Sequence, residues 1–146
     1  MRHAALLWAA ALIAAAGCGG AASPSMTELR ARASRICSAA NVRSYRIATP
    51  TWEEGAGTFL KGGINILSPE LKRLRGLSAP GGDADVYAAA LSAVSAEVDA
   101  LRAAEHAISR NEDPVIAYKS LQHHLTPLEA QANDAWGALQ IPACAG

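Results

Sequence analysis

Aromatic residues are scarce in this 146-residue chain, where Phe, Trp and Tyr together make up 5% of the sequence. Lysine is also rare, with three residues against ten arginines, whereas alanine occurs 34 times. Alanine, leucine and arginine rank highest in intrinsic helix propensity, so this composition predicts an all-α protein. The length suits one domain with a substantial core and leaves too little chain for two.

The chain has no excess of either charge, because 13 Lys and Arg residues balance 13 Asp and Glu residues. A neutral chain gives no reason to expect nucleic acid as a partner. The charges are unevenly distributed, since residues 19–75 carry nine basic and four acidic side chains and residues 76–146 carry three and nine. Two interpretations stay open: the two halves pair across helix faces, or the basic half faces anionic lipid.

Motifs for catalysis and metal binding are missing from the sequence. There is no pair of closely spaced cysteines for zinc and no His-Glu-x-x-His motif. The stretch GTFLKGG, residues 57–63, has the glycine spacing of a phosphate-binding loop, but Gly63 stands where that loop requires lysine. We interpret these glycines as sites of close packing or bending, and we predict no enzyme, no metal site and no cofactor.

The N-terminal stretch has the pattern of an export signal. Arg2 and His3 precede an apolar run over residues 4–16, which is too short to cross a bilayer as a stable helix. The run leads into Ala-Ala-Gly-Cys, in which the cysteine is Cys18. This sequence resembles the lipobox of bacterial lipoproteins.

The lipobox resemblance implies that a signal peptide, residues 1–17, is removed and that Cys18 becomes the lipidated first residue. Two acyl chains on one residue give lasting membrane attachment. Ala15 stands where this family more often has leucine, which leaves ordinary signal cleavage nearby as the alternative. The small residues over 18–24 then predict a flexible tether to a domain over 25–146, located at the outer face of the cytoplasmic membrane.

Two cysteines remain in the mature chain after Cys18, namely Cys37 and Cys144. In an oxidising compartment an even pair of thiols is more often a bridge than a catalytic site. The alternative, a catalytic thiol, needs a histidine partner that neither cysteine has nearby in the sequence. We therefore predict a Cys37–Cys144 disulfide.

Apolar residues recur at spacings of three and four in four segments of the mature chain, which predicts four amphipathic helices. The first starts with a capping box at Ser25 and runs over about residues 26–45. The second starts with a capping box at Thr51 and runs to about residue 75, with a kink or restart expected at Pro69.

The third helix follows the loop LSAPGGDAD, in which Asp83 is the expected N-cap. Its apolar stripe is the most regular and consists of Tyr87, Leu91, Val94, Val98, Leu101, Glu105 and Ile108. The fourth helix begins at Asp113 and Pro114 and ends near residue 140. Four helices of similar length with short connections predict an antiparallel up-and-down four-helix bundle. Because Cys37 lies well inside the first helix, we expect the start of that helix to overhang the bundle as a stalk.

Few polar side chains qualify for a functional site. His106 and His124 fall at different levels of the hairpin made by the third and fourth helices, so they cannot meet at one metal ion. His124 is expected to pair with Asp99. Glu105, the one carboxylate on the apolar stripe, is either a functional acid or a surface group paired with Lys119.

Two tryptophans, Trp52 and Trp136, fall on apolar stripes of otherwise small residues. They either line a pocket in the bundle or pack in the core with the ring nitrogen at the surface. Packing with an accessible ring nitrogen is the expectation.

In its pattern the mature chain resembles small helical lipoproteins of high-GC Gram-positive bacteria, which carry a cysteine in the first helix and another after the last. The resemblance implies the architecture and no particular activity. We expect a non-enzymatic interaction module of the cell envelope, held by its lipid anchor and binding an envelope protein or the membrane surface. The alternative is a small-ligand carrier, for haem or an apolar molecule, with His123 or His124 as axial ligand and Met26 remote from both.

Overall fold

The computed structural model describes residues 25–50 and 55–146, and every regular element in these ranges is helical. The predicted signal peptide, Cys18, the tether, the Thr51 capping box and Trp52 lie outside the described residues. The four long helices are α1 (Met26–Ser44), α2 (Ala56–Arg75), α3 (Ala84–Ser109) and α4 (Pro114–Ala138). Short 3-10 helices occupy Gly81–Asp83 and Pro142–Cys144.

The four helices form the antiparallel bundle that the sequence predicts. The most extensive packing joins α3 to α4 and α2 to α3, whereas α1 packs on α2 and on the 3-10 helix Pro142–Cys144. The first and last helices therefore meet largely through the chain that follows α4.

Side-chain caps fix the starts of two helices. The hydroxyl of Ser25 accepts the backbone N–H of Glu28 at 3.2 Å, and the Asp113 carboxylate accepts that of Val115 at 2.8 Å. Asp83 occupies the N-cap position of α3, but its side chain accepts no backbone N–H. The Ser25 and Asp113 side chains thus satisfy backbone N–H donors that the first turn of a helix leaves without a partner.

Helix α2 continues through Pro69, so of the kink or restart expected there the restart is wrong. Proline removes one backbone hydrogen bond and disfavours the helical conformation at the residue before it. Leu71 and Leu74 lie two and five residues after Pro69 and are buried in the core, so packing maintains the helix across the proline.

The apolar core falls into two clusters. The large cluster lies where α1 starts and α4 ends, and its buried side chains include Leu29, Cys37, Leu74, Tyr87, Trp136 and Ile141. The small cluster lies toward the turn between α3 and α4, where Leu60, Ala104 and Leu121 are buried beneath partly exposed apolar neighbours.

Residues 139–146, which we call the return segment, reverse direction at the end of α4. Gln140 has a φ of 58°, in the left-handed region that ends many helices. The next backbone N–H, of Ile141, donates to the carbonyl of Trp136 at 2.9 Å. Ile141 is thereby turned into the large cluster, where it is fully buried.

The return segment packs along α1. Arg30 donates from Nε to the carbonyl of Leu139 at 2.8 Å, and the Asn41 side chain donates to the carbonyl of Ala143 at 3.1 Å. Leu29 is only 2% exposed, so the start of α1 lies within the bundle and the expected stalk is wrong. The hydrogen bond from Arg30 to Leu139 places the start of α1 level with the end of α4. The return segment, which contains the 3-10 helix Pro142–Cys144, then covers the distance from that level to Cys37.

The predicted disulfide between Cys37 and Cys144 is confirmed. The two Cα atoms lie 5.0 Å apart, and the bridge joins residues separated by 107 positions. Cys37 is 1% exposed in the large cluster, so the bond fastens the return segment to the core side of α1.

Gly62 accounts for part of the glycine-rich stretch in α2. A Cβ at this position would come within 3.3 Å of two carbons of the Ile47 side chain. Ile47 belongs to the connection that follows α1, so the missing side chain lets that connection lie directly on α2. This contact agrees with close packing as the role of the glycines.

Candidate functional sites

Glu70 is the one buried charged residue that the described ranges contain, and it is only 7% exposed. Burial raises the pKa of its carboxyl from 4.5 to about 7. Arg43 on α1 counteracts this increase by favouring the ionised form, while Glu97 on α3 adds to it. Glu70 therefore takes up a proton near neutral pH.

Glu97 continues this cluster across the bundle. Burial and, to a smaller extent, the nearby carboxylate of Glu129 on α4 together raise the pKa of Glu97 to about 7. The four side chains Arg43, Glu70, Glu97 and Glu129, which we call the carboxylate row, thus contribute one group from each helix. Glu70 and Glu97, whose pKa values are both about 7, can bind and release protons near neutral pH. The described residues contain no group of three His, Cys, Asp or Glu side chains that could hold a metal ion.

Replacing Glu70 by glutamine should flatten the dependence of stability on pH. The folded-state pKa of Glu70 lies above its ordinary value, so folding binds a proton and wild-type stability falls as pH rises from about 5 to 8. Glutamine resembles the protonated form at every pH. We expect Glu70→Gln to match the wild type near pH 4.5 and to exceed it by about 3 kcal/mol at pH 8.

The measurement for this variant is urea unfolding followed by circular dichroism across that pH range. Agreement between the two proteins at the acidic end is the internal control, because it shows that the amide fits the site. Parallel profiles for variant and wild type over the whole range would contradict a buried, proton-binding Glu70.

Glu105, the carboxylate singled out in the sequence, is paired at the surface of the bundle. Its Oε1 lies 3.3 Å from Nζ of Lys61 on α2, and its side chain is 21% exposed. The partner is Lys61 and not the expected Lys119. The surface-pair interpretation of Glu105 therefore fits the structure, with a different lysine.

The described residues form three ion pairs, and one of them joins the basic first half of the chain to the acidic second half. That pair is Lys61–Glu105, whereas the other two lie within single helices. The two within helices are Arg32–Glu28 at 3.3 Å and Arg102–Asp99 at 3.0 Å. Pairing between the halves thus accounts for little of the basic charge.

The histidines do not form a common site. Nδ1 of His124 donates to the carbonyl of Ser120 at 2.7 Å, and Asp99 is bonded to Arg102, so the expected His124–Asp99 pair is wrong. The rings of His123 and His124 meet edge to face at a centroid distance of 5.9 Å, and both residues are exposed.

His124 does line a groove between α3 and α4, which we call the alanine groove. Its volume is about 270 Å³, and its α3 side consists of Ala100, Ala103, Ala104 and Ala107. These side chains are too short to fill the space opposite Leu121 and His124. Neither His106 nor His123 lines it, so the groove offers no second histidine to a haem iron.

A second groove lies between α1 and the end of α2, and we call it the arginine groove. Arg32, Arg35 and Arg73 line a shallow volume of about 320 Å³ together with Ile36 and Leu77. Positive charge thus surrounds two apolar side chains at the bundle surface.

Trp136 occupies the centre of the large cluster and is fully buried. Its ring meets that of Tyr87 edge to face at 5.9 Å, and the Tyr87 hydroxyl donates to the carbonyl of Leu74 at 2.8 Å. Burial raises the pKa of Tyr87 to about 12, so this donor stays protonated. The indole N–H of Trp136 meets no acceptor among the described residues, so the expected surface position of its nitrogen is wrong.

Comparison of the chain with protein-family models, with curated proteins and with solved structures gave no match in any of the three. Among the described helices, none combines the length and the apolar character needed to cross a membrane.

Proposed function

We propose that this protein is a lipid-anchored, non-enzymatic interaction module that holds a helical bundle at the outer face of the cytoplasmic membrane. The observation that carries the proposal is the Cys37–Cys144 disulfide. Disulfides persist in oxidising compartments, so the bridge supports export. The lipobox-like sequence ending at Cys18 supports export independently and supplies the anchor.

The exposed apolar side chains support contact with a protein partner. Val42, Tyr45, Val115 and Ile116 are the exposed large apolar residues of the described ranges, and Tyr45 is 90% exposed. They lie where α1 ends and α4 begins, which in an antiparallel bundle is the end opposite Ser25. A partner in the envelope is therefore expected at the end of the bundle away from the tether.

The anchor is tested by expressing the full chain and Cys18→Ala in a bacterial host and separating membranes from soluble protein. We expect the wild type in the membrane fraction, with a mass that corresponds to a diacylglycerol-modified chain starting at Cys18. The Cys18→Ala variant should lose this modification and should appear in the soluble fraction.

The matched control is the double variant Cys37→Ala/Cys144→Ala, which alters two cysteines and leaves the anchor residue intact. It should keep the lipid mass and the membrane location. Full-length wild-type protein in the cytosol with a free thiol at Cys18 would overturn the proposal.

The alanine groove favours one second candidate, a carrier of a small apolar molecule bound between α3 and α4. The supporting observation is its apolar α3 wall beside the single imidazole of His124. Haem titration of the purified protein tests the porphyrin version. The absence of a Soret band would remove that version.

A further inference from the structure

We propose that the arginine groove binds the phosphate of an anionic phospholipid headgroup at the membrane surface. The inference deepens the proposed function and rests on it, because it requires that the bundle be held close to a bilayer. It assigns the membrane-facing side of the molecule to α1 and the end of α2.

The chemistry of the groove suits a phosphate diester joined to an apolar body. Guanidinium groups present planar, paired N–H donors that match phosphate oxygens, and Arg32, Arg35 and Arg73 bring three of them together. Ile36 and Leu77 add apolar surface at the same place. A lipid headgroup with its glycerol and upper acyl chain offers both kinds of contact.

The charge of the groove is largely uncompensated. Arg35 and Arg73 form no ion pair with any described residue, and Arg32 pairs with Glu28 only at the surface, where both side chains are about half exposed. An exposed ion pair of this kind is weak, so Arg32 can readily exchange the Glu28 carboxylate for another anion. Lys72 and Arg75 flank Arg73 in the last turn of α2 and increase the local positive potential.

The groove lies at the end of the bundle where the chain enters from its proposed anchor. Arg32 and Arg35 are about 10 and 15 Å along α1 from Ser25, and the antiparallel arrangement places the end of α2 at the same level. The seven residues from Cys18 to Pro24 can span at most about 25 Å. The anchor therefore keeps these arginines within reach of the headgroup layer.

Apart from Glu28 on α1, the exposed or partly exposed acidic residues at the same end lie on the α3–α4 side, with Asp83 and Asp85 around the start of α3 and Asp134 near the end of α4. An anionic surface attracts the α1–α2 side and repels the α3–α4 side. The bundle is thereby oriented with the arginine groove toward the bilayer.

The test measures vesicle binding by the unlipidated mature chain, residues 18–146 with Cys18→Ala, which contains every described contact. The vesicles consist of phosphatidylcholine with or without phosphatidylglycerol. We expect binding to the anionic vesicles only, weakening as salt is added. Arg35→Gln/Arg73→Gln should weaken it about 25-fold, since each basic group near such a surface contributes about fivefold.

The matched control is Arg46→Gln/Arg110→Gln, which removes the same charge from two exposed arginines at the opposite end of the bundle. Its affinity should change less than twofold. Equal losses in the two double variants, or equal binding to neutral vesicles, would overturn the proposal. Binding of inorganic phosphate without binding of vesicles would overturn the lipid as the source of the anion.

This experiment separates the two proposals because it uses a chain that carries no lipid. A failure here leaves the membrane partitioning and the mass of the Cys18-modified protein as they are. A failure of lipidation, in turn, shows itself in the mass of the expressed protein and does not alter vesicle binding by the purified domain.

Discussion

Replacing both Cys37 and Cys144 by alanine is expected to lower the free energy of unfolding by about 3 to 4 kcal/mol. The bridge closes a loop between residues separated by 107 positions, for which the chain-entropy relation gives about 4.7 kcal/mol as an upper figure. Residual structure in the unfolded chain reduces that gain. Alanine is the suitable replacement at Cys37 because this position is 1% exposed in an apolar cluster.

Urea unfolding of the oxidised wild type, the reduced wild type and the double variant measures the effect. Reduction should bring the wild type close to the variant, and reductant should leave the variant unchanged. Identical midpoints for oxidised and reduced wild type would show that the bridge contributes nothing to stability.

Replacing Trp136 by alanine is expected to cost about 3 to 5 kcal/mol. The side chain is fully buried in the large cluster, and its removal leaves a cavity that the return segment and Tyr87 can fill only partly. Trp136→Phe should cost less than about 1.5 kcal/mol. Phenylalanine keeps an aromatic ring in the site and removes a buried N–H that has no acceptor among the described residues.

Chemical denaturation followed by circular dichroism distinguishes the two tryptophan variants and does not depend on the fluorescence that they lose. The order of stability should be wild type, then Trp136→Phe, then Trp136→Ala. A phenylalanine variant as unstable as the alanine variant would show that the indole N–H is in fact satisfied and that its loss matters.

The starts of α1 and α4 were predictable because their signals are local, whereas α2 begins at Ala56 after Gly55, which offers no side-chain cap. Ser25 and Asp113 are each followed within three residues by the backbone N–H that they accept. Proline and glycine likewise interrupt the chain between α2 and α3 over a few residues. The disulfide followed from counting the cysteines of a chain that was expected to be exported. The packing of the return segment along α1 could not be predicted in this way, because it depends on how the chain reverses at Gln140.

The carboxylate row was missed, although the sequence contains a signal for it. The apolar stripe of α2 runs through Gly63 and Ile66, and one further step of four reaches Glu70. The prediction continued the buried face at Leu71 and Leu74, both of which are buried, and passed over Glu70 immediately before them. In α3, Glu97 lies on a second stripe, in which alanines recur at spacings of three and four: Ala90, Ala93, Ala100 and Ala104.

The expected pairs His124–Asp99 and Glu105–Lys119 were wrong. The position of a residue along its helix predicts its level in the bundle, but it does not predict which of the side chains at that level it contacts. His124 lies beside Ala100 in the alanine groove, one position from the predicted Asp99. Asp99 bonds instead to Arg102 three residues further along its own helix. Partners within a helix are held close whatever the packing, so they compete well with those on another helix.

The return segment gives this bundle an order of assembly. Until Ile141 and Cys144 have left the ribosome, the large cluster lacks the side chain that closes it, and Leu29 and Trp136 stand at an open edge. A nascent chain that lacks these residues stays loosely organised for nearly the whole of its synthesis. Under the proposed export, this suits passage through a translocation channel, and the packing of Ile141 and the Cys37–Cys144 bond are then completed together on the oxidising side.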